Sequence, residues 1–281
     1  MKRALIVALC LLACSKKEEP VAVPQPVPVT PKIVTRTREP QPPPETSPHP
    51  GTWSIPPRGV ALWLVADDAR TEFGGNLTTW TNEYVPTAKA SADRLEMQPI
   101  VITNAINQHS VIRFDGVSNI METNIDISPQ GMPDATIFAV FSSHTAAPSP
   151  LRKVYGDDDG GFDRAAGLDD RAGDKNYGVF TGSGVAGDFS LSMNETYLTC
   201  DQFTKSDLST WVDGKAMLDK VACSWGTALP HMFIGGSGTS YHEPWQGDIA
   251  EIIVYERVLS ELERMQVEDY LGKKYGIALT R

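Results

Sequence analysis

The chain has 281 residues, 41% of them hydrophobic, enough for one good-sized core or two small ones. Its formal charge of −10 repels phosphate backbones and anionic headgroups, so nucleic-acid binding and electrostatic membrane docking are not expected.

Met1-Lys2-Arg3 is a basic head, and Ala4 to Ala13 is an unbroken apolar run. The run is too short to cross a hydrocarbon core of ~30 Å, so it reads as the middle of a signal peptide. Leu11-Leu12-Ala13-Cys14 closes it and resembles a bacterial lipoprotein cleavage site. That resemblance implies removal of residues 1–13 and lipid on Cys14; the alternative is a secretory signal without lipid. Ser15 after the cysteine implies, by the commonest Gram-negative sorting pattern, an outer-membrane anchor. Removing Lys2 and Arg3 leaves 23 basic against 35 acidic residues, so contact with the membrane is expected through the lipid alone. Residues 14–57 hold 13 of the 21 prolines and few large apolar side chains. Such a segment builds no core and favours extended polyproline II, and some forty residues at ~3.1 Å each span about 120 Å. It is expected to be a tether.

Residues 58–281 read as one domain of short strands. Val60-Ala61-Leu62-Trp63-Leu64, Val111-Ile112-Arg113-Phe114 and Ala135-Thr136-Ile137-Phe138-Ala139-Val140-Phe141 are strand-like. Asp115-Gly116 and Asp213-Gly214 are hairpin signals, because Asp-Gly tolerates the positive φ of tight primed turns. Cys200 and Cys223 remain as an even pair once Cys10 leaves with the signal and Cys14 carries lipid. An oxidising compartment favours a Cys200–Cys223 disulfide across neighbouring strands, with two separate buried thiols as the alternative. Ile249 to Tyr255 is apolar on both faces except at Glu251, as in a central strand. Ser260 and Glu263 then form a capping box, and Val267, Tyr270, Leu271 and Tyr275 recur at helical spacing up to Gly276. The expected fold is all-β, an antiparallel two-sheet jelly-roll sandwich with one C-terminal helix packed on it.

The run Gly247-Asp248-Ile249-Ala250-Glu251, continuing through Arg257-Val258-Leu259-Ser260 to Tyr270-Leu271-Gly272-Lys273-Lys274-Tyr275-Gly276-Ile277, resembles the closing cassette of bacterial laminin-G-like domains. These belong to the concanavalin A-like lectin/glucanase superfamily. Leu62-Trp63-Leu64 with Ala66-Asp67-Asp68, Trp80, Gln98-Pro99 and Thr210-Trp211-Val212-Asp213-Gly214 match as well. The chain departs after Trp80, where many relatives carry an Asp-Gln-Ser-Gly-like turn and this one has Thr81-Asn82-Glu83-Tyr84. The resemblance implies the sandwich, and function only loosely, because the fold hosts lectins, adhesion modules, glucanases and spacers.

Two segments carry candidate chemistry. Asp157, Asp159, Asp163 and Asp169 lie in a glycine-rich acidic loop and offer the hard oxygens that calcium prefers. Arg164, Arg171 and Lys175 stand among them, so ordinary ion pairing is the alternative. Tyr241, His242 and Trp245, beside Gly235-Gly236-Ser237-Gly238, are candidate ligand-binding residues that would stack on a sugar; packing at the core edge is the alternative. Catalysis is not expected. A retaining glycosidase needs two carboxylates facing one bond, and no Glu-x-Asp-x-Glu run is present. Asp248 and Glu251, three apart, would face opposite sides of a regular strand. His242-Glu243 lacks the second histidine of a zinc protease. The expected function is therefore display of a non-catalytic head that binds polysaccharide or a cell-surface protein. A structural envelope protein and a divergent glycoside hydrolase or lyase are the alternatives.

Overall fold

A computed structural model describes residues 55–71, 75–81, 84–238 and 242–281. The signal peptide, Cys14, most of the proline-rich segment and Tyr241 lie outside them. The strands, in chain order, are β1 (Val60–Val65), β2 (Thr79–Thr81), β3 (Lys89–Ser91), β4 (Ile100–Ile106), β5 (His109–Asp115), β6 (Met121–Thr123), β7 (Ala135–Ser143) and β8 (Arg152–Gly156). They continue as β9 (Ala165–Leu168), β10 (Tyr177–Phe180), β11 (Val185–Phe189), β12 (Thr196–Phe203), β13 (Asp207–Val212), β14 (Lys215–Ala222), β15 (Phe233–Ile234) and β16 (Gln246–Tyr255). One α-helix follows, α1 (Glu261–Tyr275). It is too short to cross a membrane, and no helix among the described residues is long and apolar enough to do so.

The strands form two eight-stranded antiparallel sheets. The first runs β14-β13-β12-β7-β16-β5-β4, with β1 also paired to β16; the second runs β11-β10-β9-β8-β15-β6-β3-β2. Strand alternation builds two hydrophobic layers from the first sheet. Ile137, Ala139 and Phe141 of β7 point between the sheets with Leu64, Tyr155, Val179 and Ile252. Phe138 and Val140 point the other way and pack with Trp63, Val267, Leu271 and Tyr275. The fold expected from the sequence is the one observed.

Local signals explain why particular elements begin and end. Ser260 Oγ accepts from the Glu263 amide while the Glu263 carboxylate accepts from the Ser260 amide, which caps α1. Asp213 and Gly214 take φ of 49° and 79° and close a two-residue turn pairing Val212 with Lys215. The second Asp-Gly pair behaves otherwise. The Asp115 carboxylate accepts the amides of Val117, Ser118 and Asn119, and the chain then crosses to the other sheet at β6. A side-chain acceptor has replaced the backbone pairing of a hairpin there.

The expected disulfide is not formed. Cys200 and Cys223 are free thiols. Cys200 of β12 points into the helix-side layer, whereas Cys223, after β14, packs against the layer between the sheets. Cys200 pairs with Trp211 of β13, whereas the Cys223 amide donates to the Ser206 carbonyl beyond the other end of that strand, so the two sulfurs, on opposite sides of one sheet, do not meet.

Candidate binding site

The outer face of the first sheet is closed by α1. On β16, Ile249 and Ile252 both point between the sheets, and the register shifts between Ile249 and Glu251. The two residues between them, Ala250 and Glu251, therefore both point outward, on the side where Asp248 also lies. The bulge overturns the expectation that Asp248 and Glu251 face apart. Neither carboxylate is free for chemistry. Arg113 donates to both oxygens of Asp248, at 2.7 and 2.9 Å, with His144 Nε2 at 3.3 Å. Glu251 is buried, with Oε1 accepting from Trp63 Nε1 at 2.6 Å and Oε2 from Lys274 Nζ at 2.8 Å and the Tyr275 hydroxyl at 2.7 Å. It clasps helix to sheet.

The outer face of the second sheet is covered by loops, and the two segments with candidate chemistry meet on it. Gly156 of β8 lets them approach: a Cβ there would lie 2.9 Å from Ser237 Cα. The Asp158 amide donates to the Ser237 carbonyl at 2.8 Å, and the Lys153 amide to the Glu243 carbonyl at 2.9 Å. Lys153 pairs across strands with Gly167, which pairs with Gly178, so its side chain lies over a surface without side chains. There Lys153 Nζ reaches Asp169 Oδ2, fully buried, and lies 4.3 Å from the centre of the Phe180 ring. Arg171 grips the same carboxylate through Nε at 2.8 Å and Nη2 at 2.7 Å. Its guanidinium lies over Phe162 and Phe180 and is 39% exposed. Glu243 Oε1 stands 3.8 Å from Arg171 Nη2, too far for a hydrogen bond.

The electrostatics follow from burial opposed by partners. Burial raises the Asp169 carboxyl, but Arg171 and Lys153 outweigh it and hold the group at about 2. Burial pushes Lys153 down against the pull of Asp169. Glu243 is raised by burial, only partly opposed by the Lys153 charge. Among the described residues three buried atoms of the second loop, Ser237 Oγ, His242 Nε2 and Glu243 Oε2, make no well-formed hydrogen bond, although Ser237 stands near enough to Glu243 to pull its carboxyl down against burial. His242 and Glu243 also hold φ of 45° and 40°, a strained conformation for such residues. Such atoms also occur in the core, at Tyr177, Thr199 and Trp245, so it is their gathering with strained backbone in one loop that makes this spot a candidate site.

The acidic residues do not come together as one calcium ligand set. Asp169 is taken by Lys153 and Arg171. Asp157 Oδ1 accepts the Arg164 amide at 2.7 Å, and Asp163 Oδ2 accepts the Asp159 amide at 3.1 Å, so both brace the loop. Asp159 is exposed. Among the described residues no three His, Cys, Asp or Glu side chains are arranged to hold a metal. Of the three cations, Arg171 pairs as expected, Lys175 reaches Asp174 at 3.4 Å, and Arg164 binds the carbonyls of Ile127, Met132 and Pro133 instead.

The aromatic candidates divide. Trp245 is wholly buried, edge-on to Phe141 at 5.4 Å, so its faces cannot meet a sugar. It sits at the start of a strand whose neighbours enclose it. His242 is half-buried at the loop, and Tyr241 lies outside the described residues. Sequence reasoning missed Lys153 and Phe180. A lysine at the start of the strand-like run Lys153-Val154-Tyr155 was the available signal.

No family model matches the chain, and no curated protein matches it. Solved structures do. Trypanosoma rangeli sialidase in complex with sialic acid is 15% identical at a TM-score of 0.55, covering 76% of this chain and 33% of that one. A mutant of the same sialidase displaying trans-sialidase activity is 14% identical at 0.55, covering 80% and 35%. The binding domain of Paraclostridial Mosquitocidal Protein 1 is 10% identical at 0.54, covering 76% and 53%. The chain spans about a third of the length of the sialidases it matches. At these identities the likeness is one of fold, a two-sheet β-sandwich.

Proposed function

We propose that this chain displays a non-catalytic, laminin-G-like glycan-binding head at the cell envelope, anchored by lipid on Cys14 and held off the membrane by the proline-rich segment. The observation that carries the reading is the meeting of the two loops on the second sheet. An exposed guanidinium on an aromatic bed, beside the unpartnered Glu243 Oε2, Ser237 Oγ and His242 Nε2, suits a polyhydroxylated ligand. The matched sialidase was solved with sialic acid, and the toxin segment is named a binding domain; both lean the same way.

Turnover is not part of the proposal. Hydrolysis with retention needs two carboxyls about 5–5.5 Å apart around one bond, and Glu251 and Asp248 are engaged by protein donors instead. Polysaccharide retention tests the reading, run with calcium and again with chelator because Asp157 Oδ2 is buried and unpartnered. Glu243→Gln and His242→Ala are expected to lose retention at unchanged melting temperature. No retention across a broad neutral and acidic panel sinks it in favour of a structural envelope protein. Cys14→Ala is expected to move the protein from the membrane to the soluble fraction.

A further inference from the structure

A second concavity lies at the other end of the same outer face, and nothing above uses it. It encloses about 470 Å³ against β3 and β6. Ser91 pairs with Glu122, Glu122 with Phe233, and Phe233 with Gly156, so one cross-strand line runs from this groove to the loops around Lys153. Only β15 intervenes between β6 and β8, which puts the two about 10 Å apart at the ordinary strand spacing.

The lining defines the chemistry. Lys89 and Arg94 line it together with Asp93 and Glu122, a formal charge of zero, so neither polyanion nor polycation is favoured. His231 Nε2 stands 3.7 Å from Glu122 Oε1, too far for a hydrogen bond, and both side chains are half exposed. A hydroxyl set between them would bridge the gap, accepting from a ring N–H and donating to the carboxylate. The half-buried Met97 supplies the apolar surface against which a sugar ring could lie. The rim is held firm, because Asn124 accepts the Lys89 amide at 2.8 Å and donates to the Thr87 carbonyl at 2.6 Å. The volume falls within the range of small-molecule clefts. No aromatic side chain lines the groove, so it would hold a sugar unit weakly by itself.

We propose that this groove is a second subsite, selective for neutral sugar units, and that one polysaccharide chain is held at both the groove and the Arg171 loops. The inference rests on the glycan reading above and adds to it the ligand's neutrality at one end and a minimum chain length. Lys89 and Glu122 are exposed on short strands, so a Lys89→Ala/Glu122→Ala variant is expected to fold, as far-UV circular dichroism would verify. Titration calorimetry with cello-, laminari- and xylo-oligosaccharides of two to six units reads the outcome. The longest oligomers are expected to lose about tenfold in affinity, one or two hydrogen bonds' worth, while those too short to reach both subsites are unchanged. Equal affinity of variant and parent at every length overturns the second subsite and leaves the glycan reading standing. Equal weakening at every length makes the groove the whole site and overturns two-point binding. Failure of the unaltered protein to bind any oligomer defeats the glycan reading itself, and this inference with it.

Discussion

Two buried ion clusters sit on opposite outer faces of this sandwich, one under the helix and one under the loops. On the helix face, both oxygens of Glu251 accept well-formed hydrogen bonds, from an indole, an ammonium and a phenol. On the loop face, Asp169 is equally well served, but its neighbour Glu243 misses Arg171 by most of an ångström and leaves one oxygen unpartnered. Completeness separates these two carboxylates, although Glu268 under the helix also leaves one oxygen unpartnered. A carboxylate whose acceptors are filled by the protein has no capacity left for a ligand, whereas a half-filled one, held in place by a strained backbone, has.

The sharpest way to break this contrast is to remove each carboxylate in turn. Glu251→Ala would strand the Trp63 indole, the Lys274 ammonium and the Tyr275 hydroxyl at the base of α1. The expected loss is about 3–5 kcal/mol, the scale seen when one partner of a buried pair is deleted. Urea denaturation measures it, and a loss below about 1 kcal/mol would show that the clasp is replaceable. Glu243→Gln should fall within about 0.5 kcal/mol of the parent, because burial disfavours the charge more than Lys153 and Ser237 favour it and the amide keeps an acceptor oxygen for Ser237. If Glu243→Gln cost as much as Glu251→Ala, the loop face would be structural too.

Between the two faces lies a third buried carboxylate, one of several whose titration shapes the acid–base behaviour of the fold. Asp201 of the first sheet accepts from Tyr155 of the second and from Thr210, both at 2.7 Å. Burial outweighs those hydrogen bonds and pushes its carboxyl up from 3.8 to about 6. A raised carboxyl favours the folded state fully below pH 3.8, and that advantage is lost as pH climbs through 6, about 3 kcal/mol for a gap of two units. Asp169, held at about 2, acts with the opposite sign: its contribution is present above pH 3.8 and is lost as pH falls through 2. Asp201→Asn should therefore reduce the fall in stability between pH 4 and 6 and leave the acid limb below pH 4 intact. Asp213 and Asp163, also raised to about 6 by burial, keep some slope in the same window. Melting temperature against pH reads both limbs, and an unaltered slope from pH 4 to 6 would remove Asp201 from the account.

What the chain disclosed before folding was local. The Ser260–Glu263 box, the Asp213-Gly214 turn and the alternation of β7 each depend on residues within a few positions, and each was legible. The clusters were not. Lys153 meets Asp169 from sixteen residues away and Glu243 from ninety, and only the sheet order places β8 beside both loops. The bulge at Ala250 reversed the side Glu251 faces, a one-residue change that no alternation pattern announces. Trp245 could be read either as a stacking face or as core edge, and burial by neighbouring strands decides for the core edge.

The cysteines give the smallest expected effect and a clean check on sidedness. If Cys200 lies under the helix and Cys223 on the other side of the sheet, no oxidant joins them without moving β13 and β14. Reductant should then leave the melting temperature unchanged, against the 2–5 kcal/mol typical when a native disulfide is lost from a small secreted domain. Burial raises both thiols, Cys223 to about 12 and Cys200 well above the usual thiol range, so neither forms much thiolate near neutral pH in the folded protein. Alkylation read by peptide mass should accordingly be slow at both positions in buffer, faster at the half-buried Cys223, and complete at both only in denaturant. A Cys200–Cys223 cross-linked peptide from oxidised protein would reverse the assignment of faces on which the contrast between helix clasp and loop surface depends.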